Sequence, residues 1–567
     1  MLLYILFGSL AFAATAAVWV WPKLYPTPYP GIPYNKESAK RIIGDIPIIA
    51  PIVQATNVRS GAVFAASTQR LGTPIAQLLF PAIRKPLIVL EDPREVEDIL
   101  VRRQREFDKA PFAVDIMAPM FPNGTISQYT TPKLRAQKRL WADVMSTEFL
   151  RKTAAPNIYK STCSLVELWR LKSSTVYPNQ SFNVREDFQN TALDVIWAVL
   201  VGEESGIMRY ELNKLQHQYS GTKQVDSALP YGHFLKEEVE YISKTITRNS
   251  NSPFPKWAQK MATYTSRYRK FRRTIITEIG LIMSKAVDRF QRIEAGKLEA
   301  DESDTCMMDL VLRRQILEAK KAGRPLINPA KDHNITDEIF VLLVGGHDST
   351  SNALAWFVKF MEAFPTVQNE LRRSLKDSFQ DQMPSAEDIL ETNIPYLDAT
   401  CEESFRLAGL TEGNVRQALV DTEILGCRIP KGAEIFLRYN IDRPPAPVDI
   451  SKRSASSQAA INKHGCDVFQ TNAGRDLQIF EPKRWLVRND VTKKDTFNAY
   501  ALPSLGFGGG YRGCAGRRLA YMEFRIVITL LILNFEFLEL PQEYKVMSAS
   551  ETLFRQPDMP YVRLRIL

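Results

Sequence analysis

The chain has 567 residues, 45% of them hydrophobic and 24% charged, with a net charge of +10 and six cysteines. That length can bury a large core. A charge so mild over so long a chain argues against a dedicated nucleic-acid binder and suits a basic docking face or a membrane surface. Cys163, Cys306, Cys401, Cys427, Cys466 and Cys514 form no C-x-x-C pair and no Cys/His ladder. This argues against a zinc site or a disulfide scaffold and predicts reduced thiols in a cytosol-facing protein.

In chain order, Leu2 to Trp21 is an uncharged apolar run of 20 residues. As a helix it would be about 30 Å long, the thickness of a bilayer core. Trp19 and Trp21 fall at its end, and Lys23, Lys36, Lys40 and Arg41 follow, which predicts a transmembrane anchor over 1–21 with the bulk of the chain on the cytosolic side. "ATA" at Ala14–Ala16 resembles a signal-peptide cleavage site, but the basic n-region is missing. A secreted chain would carry glycans on some of the sequons at Asn123, Asn179 and Asn334.

A proline-rich connector is expected over 22–40, stiff and extended, leading into a domain that fills 41–567. "PLIVL" (86–90) predicts a strand, and the acid-capped segment after it a helix. Segments 131–145 and 265–290 read as basic amphipathic helices, and a long helix is expected from near Thr336 to Pro365. "YLDATCEESFRLA" reads as a further helix, on which Glu403 and Arg406 share a face. "EILGCRIPKGAEIFL" reads as a hairpin turning at Pro430–Gly432, and the polar stretch 443–476 as a surface insertion. A last helix is expected over Ala515–Leu533.

"FGGGYRGCAGRR" (507–518) allows two readings. Gly508, Gly510 and Gly513 fit G-x-G-x-x-G, but a dinucleotide loop needs a buried strand before it, and Pro503, Ser504 and Gly506 argue against one. The alternative, F-x-x-G-x-R-x-C-x-G, explains more letters. It sets Cys514 at the mouth of a helix, where free amides and the dipole stabilise a thiolate. The glycines let backbone approach a flat cofactor, and Phe507 can shield the sulfur. A single cysteine suits a haem iron better than zinc.

Residues 507–516 match the haem-binding loop of cytochromes P450 without a break, and the chain from about residue 22 resembles that family. The anchor and connector are similar to those of microsomal members, and the sequence style to fungal ones. The resemblance implies a mainly α fold with small β-sheets behind an N-terminal transmembrane helix. It implies haem b held by Cys514 as axial iron ligand, with Phe507, Gly510 and Gly516 shaping the loop. Arg512, Arg416 and Lys138 would meet the haem propionates. Lys138 stands where the family has arginine, with Arg139 as an alternative, and Leu134 replaces the usual Trp. Glu403, Arg406 and Arg484 would form a buried ionic triad, with Lys483 where Glu is common.

In "GGHDST" the resemblance gives Asp348 and Ser349 the roles of the family's acid and alcohol, which relay protons during oxygen activation. Ser349 departs from the usual threonine, and paired glycines inside a helix imply close approach or a bulge. The substrate pocket would be lined by 110–128, 344–349, 410–415 and 553–556. The function implied is monooxygenation of a lipophilic small molecule, in the manner of fungal secondary metabolism. Electrons would come from NADPH through cytochrome P450 reductase, with cytochrome b5 as a further donor. Arg517, Arg518 and "RYRKFRR" (267–273) would offer a basic docking face. The expected location is the endoplasmic reticulum membrane, single-pass. A reductase-independent isomerase or dehydratase and a haem sensor are the rival readings, and the Asp348–Ser349 pair argues against both.

Overall fold

The structure, a computed structural model, describes residues 21–56, 61–220, 229–252, 254–295, 305–323, 331–464, 476–489, 491 and 493–567. Except for Trp21, the expected membrane anchor lies outside them. Among the described residues no helix is long and apolar enough to cross a membrane. The chain divides into two compact units that alternate in sequence. The first takes its described residues from Met1–Ala110, Thr411–Gln478 and Leu502–Gly513, and the second from Pro111–Leu410, Ile479–Ala501 and Cys514–Leu567.

The first unit is built on a five-stranded sheet. In chain order its strands are β1 (Ile75–Leu78), β2 (Leu87–Leu90), β3 (Phe107–Lys109), β4 (Gly413–Ala418) and β5 (Glu434–Arg438), and in space they run β1-β2-β5-β4-β3. β2 and β5 pair in parallel and the other pairs are antiparallel. Leu78, Leu87, Val89 and Phe436 form the core beneath it. Helix α1 (Pro93–Val101) follows β2 because Asp92 caps it, accepting from the Glu95 amide, and Pro93 occupies its first turn.

The proline-rich segment lies along β1. Gln77 donates to the carbonyls of Tyr29 and Ile32, accepts from the Tyr29 amide, and its own amide donates to the Pro33 carbonyl. The start of the 443–476 stretch is fixed to α1, where Arg453 makes paired 2.7 Å bonds to Asp92 and Ser454 and Ser456 donate to Asp98.

The sequence misplaced one hairpin. The two-residue turn is Leu425–Gly426, both at positive φ, between strands Thr422–Ile424 and Cys427–Ile429. Pro430–Gly432 makes a separate turn that hands the chain on to β5 in the larger sheet.

The second unit is mainly helical. Its principal helices are α2 (Pro132–Leu140), α3 (Ala155–Leu171), α4 (Arg185–Val201), α5 (Tyr231–Ser250), α6 (Pro255–Ala262), α7 (Ser266–Glu294), α8 (His333–Ala363), α9 (Pro395–Ala408) and α10 (Arg517–Asn534). α8 starts three residues before Thr336 because Asp332 caps it through the Asn334 amide. α10 starts two residues after Ala515, with Gly516 as its N-cap. α8 is buried over most of its length, and Phe340, Leu354, Phe357 and Met361 are core residues. A mainly α fold with small sheets is therefore observed.

Candidate active site

In the first unit, the glycine-rich loop is shaped by contact with α1. Gly508 and Gly510 have φ of +64° and +61°, and a Cβ on Gly510 would overlap the Leu100 carbonyl and the Gln104 side chain. Gln104 also accepts from the Tyr511 amide at 3.1 Å. These anchors aim Arg512 at the open end of β3, where its guanidinium stands 3.5 Å from Asp108. Arg416 on β4 is buried there too, directly across the strand pair from Lys109. Burial, with Arg512 and Arg416 beside it, pushes the Lys109 ammonium down to about 7, against the pull of Asp108. Lys109, Arg416 and Arg512 thus act on one another electrostatically, with Asp108 opposing. The sequence singled out Arg512 and Arg416 and missed Lys109.

In the second unit, Cys514 is exposed at the start of α10. The protein around the thiol raises its pKa, while the amides of Gly516 and Arg517 and the charges of Arg517 and Lys138 act in the opposite sense. Lys138, half-buried on α2, reaches both Cys514 and Glu338 electrostatically, whereas Arg139 is exposed. A Cβ on Gly516 would meet the sulfur at 3.9 Å, an ordinary contact, so Gly516 serves here as the helix cap.

α8 passes through "GGHDST" without a bulge. A Cβ on Gly346 would press on Ile196 of α4 at 2.8 Å, so this glycine permits close packing of the two helices, while Gly345 faces open space. Ser349 is half-buried one turn on, its hydroxyl donating 2.6 Å to the Gly345 carbonyl. Asp348 is buried and accepts from Asn352 at 3.0 Å. Burial pushes its carboxyl up to about 6, with Asn352 and Arg185 opposing.

Two further acids of α8 hold the 121–128 loop. Asp337 accepts from the Asn123 amide and side chain, and Glu338 accepts from the Thr125 amide and hydroxyl at 2.7 and 2.6 Å. Arg272 leaves the basic run of α7 to pair with Asp337 at 2.7 Å, so "RYRKFRR" is not wholly a solvent-facing patch.

Glu403, on α9, is fully buried. It binds Arg406 through both oxygens at 2.8 Å, Arg484 at 2.8 Å, the Trp485 indole at 2.9 Å and the Glu481 amide at 2.9 Å. Burial alone would raise its carboxyl, but Arg406, Arg484 and the Glu481 amide hold it below the usual range. Lys483 turns outward to Glu370 at 2.9 Å.

The family profile described as Cytochrome P450 matches residues 61–440 and 478–563. The chain belongs to the cytochrome P450 family. It is similar to the cytochrome P450 monooxygenase TRI13 of Fusarium sporotrichioides, at 29% identity over 99% of both chains. It is also similar to the monooxygenase xilC of Penicillium crustosum, at 31% identity over 100% of this chain and 97% of that one. In fold it resembles the crystal structure of CYP102L1, with a TM-score of 0.62 and 18% identity, over 95% of this chain and 100% of that one.

Cytochromes P450 are oxidoreductases whose haem iron carries a cysteine thiolate, and the residues of this P450 fit that group. Cys514, in the second unit, is an exposed thiol under amide donors, chemistry suited to an iron ligand. In the first unit, the buried Lys109 and Arg416 and the half-buried Arg512 have the chemistry to hold an anion such as a haem propionate. The stretch between the two matched segments contains the polar 443–476 region.

Proposed function

We propose that this P450 is a monooxygenase that inserts one oxygen atom of O2 into a lipophilic small molecule, with electrons from NADPH delivered by cytochrome P450 reductase or, at one step, cytochrome b5. The observation that carries the reading is the pairing of an exposed thiol at a helix start with a buried acid, Asp348, whose proton is held to about pH 6. A binding protein or sensor has no need of that acid, and an isomerase needs no proton donor for oxygen.

When bound, the haem supplies the oxygen-activating chemistry. The protein's own part is positioning and proton handling. Cys514 provides the thiolate, Phe507 and Gly510 set the loop around it, and Gly516 caps the helix beneath. Arg512 and Arg416, with Lys109 beside them, would neutralise propionate charge, and Lys138 of α2 is a further candidate for that role. Asp348 releases a proton toward the Ser349 hydroxyl, which is already oriented by Gly345. The Glu403–Arg406–Arg484 triad keeps α9 fixed to the 481–485 turn. Arg517 and Arg518, exposed beside Cys514, fit an acidic electron donor.

The similarity to fungal P450 monooxygenases supports a place in secondary metabolism. For location in the endoplasmic reticulum membrane, facing the cytosol, the support is the apolar Leu2–Trp21 run together with α6. There Trp257 and Met261, with Phe254 and Tyr264 flanking, are exposed beside Lys256 and Lys260. The test of the cofactor is the spectrum of the reduced protein under carbon monoxide. A red-shifted Soret band is expected, and Cys514→Ser should abolish it. A band unaffected by that change would overturn the assignment. Absence of glycan on the exposed Asn179 sequon is expected of a cytosolic domain, and a glycan there would overturn the orientation.

A further inference from the structure

Three carboxylates follow one another along α1 and its cap, at Asp92, Glu95 and Asp98, and all three are fully buried. At this spacing they are neighbours on the helix and repel one another. Burial first, then Asp98 and Asp92, push the Glu95 carboxyl up to about 7, although Arg103 and Arg453 oppose. A helix with so many buried acids holds its place only where cations and hydroxyls meet it.

Several of those partners come from the stretch that lies between the two segments matched by the family profile. Arg453 forks onto both oxygens of Asp92 at 2.7 Å and stands 3.8 Å from Glu95. Ser454 and Ser456 donate to one oxygen of Asp98 at 2.6 and 2.9 Å, and Arg102 takes the other. Arg443, earlier in the same stretch, pairs with Glu91 at 3.5 Å. The short helix Ala455–His464 starts directly after the fork. A tether that merely kept a surface insertion in place would need only exposed partners, whereas these acids are buried.

The other end of α1 leans on the glycine-rich loop. A Cβ on Gly509 would lie 3.0 Å from Val101 and 3.2 Å from Leu100, and one on Gly510 would overlap the Leu100 carbonyl. Just past the helix, Gln104 donates to the Val101 carbonyl at 2.6 Å and accepts from the Tyr511 amide. Arg103 ties the same end to the hairpin, donating at 2.8 Å to the Thr422 hydroxyl and the Glu423 carbonyl. All of these residues belong to the first unit.

We propose that residues 443–464 are a brace for the haem loop, with Arg453 as its positioning residue. The brace pins the first turns of α1, and the last turn of α1 sets the backbone of 508–511. It serves haem only if 507–516 is the haem loop, a reading that Cys514→Ser tests separately.

The test is hydrogen exchange, read by peptide on the full chain with and without haem, together with the rate of haem transfer to an acceptor protein. In Arg453→Met the peptides covering 505–513 should exchange about tenfold faster than in the parent. Haem transfer should also quicken by about tenfold. Arg453→Lys, which keeps the charge and loses the fork, should fall between. If Arg453→Met loosens 455–464 but leaves 505–513 and haem transfer as in the parent, Arg453 fastens the insertion alone and the brace is overturned.

Gln104→Leu breaks the contact at the loop end. Faster exchange at 505–513 with 455–464 unchanged is expected, and parent-like exchange at 505–513 overturns the brace. Should Arg453→Met fail to fold, Ser454→Ala combined with Ser456→Ala decides the case, because it keeps the fork and removes two bonds to Asp98. Exchange about threefold faster at 505–513 supports the brace, and exchange at the parent rate overturns it. Exchange in the haem-free chain is independent of the spectrum, so a failure of the haem assignment and a failure of the brace are told apart.

Discussion

Lys109 and Arg416 stand opposite one another on neighbouring antiparallel strands, two buried cations on one rung of the sheet. Like charges directly opposed on a sheet destabilise it unless an anion lies between them. Asp108 acts in the opposite sense, and a further anion such as a haem propionate would add to that relief. Lys109→Met should speed haem loss to an acceptor protein by about tenfold, while Lys109→Arg should hold haem nearly as well as the parent. The haem-free protein should respond to pH as well. The unfolded chain keeps this proton to near 10.5 and the folded chain releases it near 7, so stability rises with pH across that window. Urea titrations of the apoprotein should show the slope in the parent and a shallower one in Lys109→Met.

Removing Glu403 leaves two buried guanidinium groups without their carboxylate. Glu403→Gln is expected to cost about 3–5 kcal/mol, enough to prevent haem incorporation at 37 °C. Arg484→Met should be nearly as severe. Because the folded carboxyl lies below its ordinary value, its contribution is full above the unfolded pKa and is lost as pH falls through the folded one. Thermal melts at acid pH should therefore converge for parent and variant.

Asp348→Asn should divide stability from function. The folded carboxyl holds its proton to about 6 and the unfolded one to about 3.8, so stability falls as pH rises between those values. Asparagine removes that loss, and at pH 7 the variant should be about 2–3 kcal/mol more stable. The same change should lower product formed per NADPH. A variant both less stable and fully coupled would contradict both assignments.

Glu523 presents the same sign at a site away from the proposed chemistry. It is fully buried on α10, one oxygen has no partner among the described residues, and burial pushes its carboxyl up to about 8. Stability should decline as pH rises from the ordinary carboxylate range to 8. Glu523→Gln should flatten that decline, with a gain on the order of 3–5 kcal/mol at pH 8.5 in chemical denaturation.

Local chemistry made much of this molecule legible. An acid cap and a proline marked the start of α1, and the glycines, arginine and cysteine of 507–516 could be read together because they are neighbours in sequence. Glu403 and Arg406 were visible as a pair three residues apart, but their burial was not. Lys109 was missed because its partner Arg416 is distant in the chain and only strand pairing brings them together. The hairpin was misplaced because proline, lysine and glycine make a strong turn signal, while Leu425 adopts positive φ without the usual residue type.

The acids that hold Asn123 and Thr125 lie on α8, ten and more residues before Asp348 on the same helix. One helix therefore carries both the tether of a candidate recognition loop and the acid proposed to serve the chemistry. The tether grips backbone amides and small polar groups at 123–125, so it makes no demand on the side chains of 111–120. Substitutions in that half of the loop would leave the tether's own bonds untouched, so its far end keeps a fixed address. Anchoring of the loop and the proposed acid thus occupy separate stretches of a single helix.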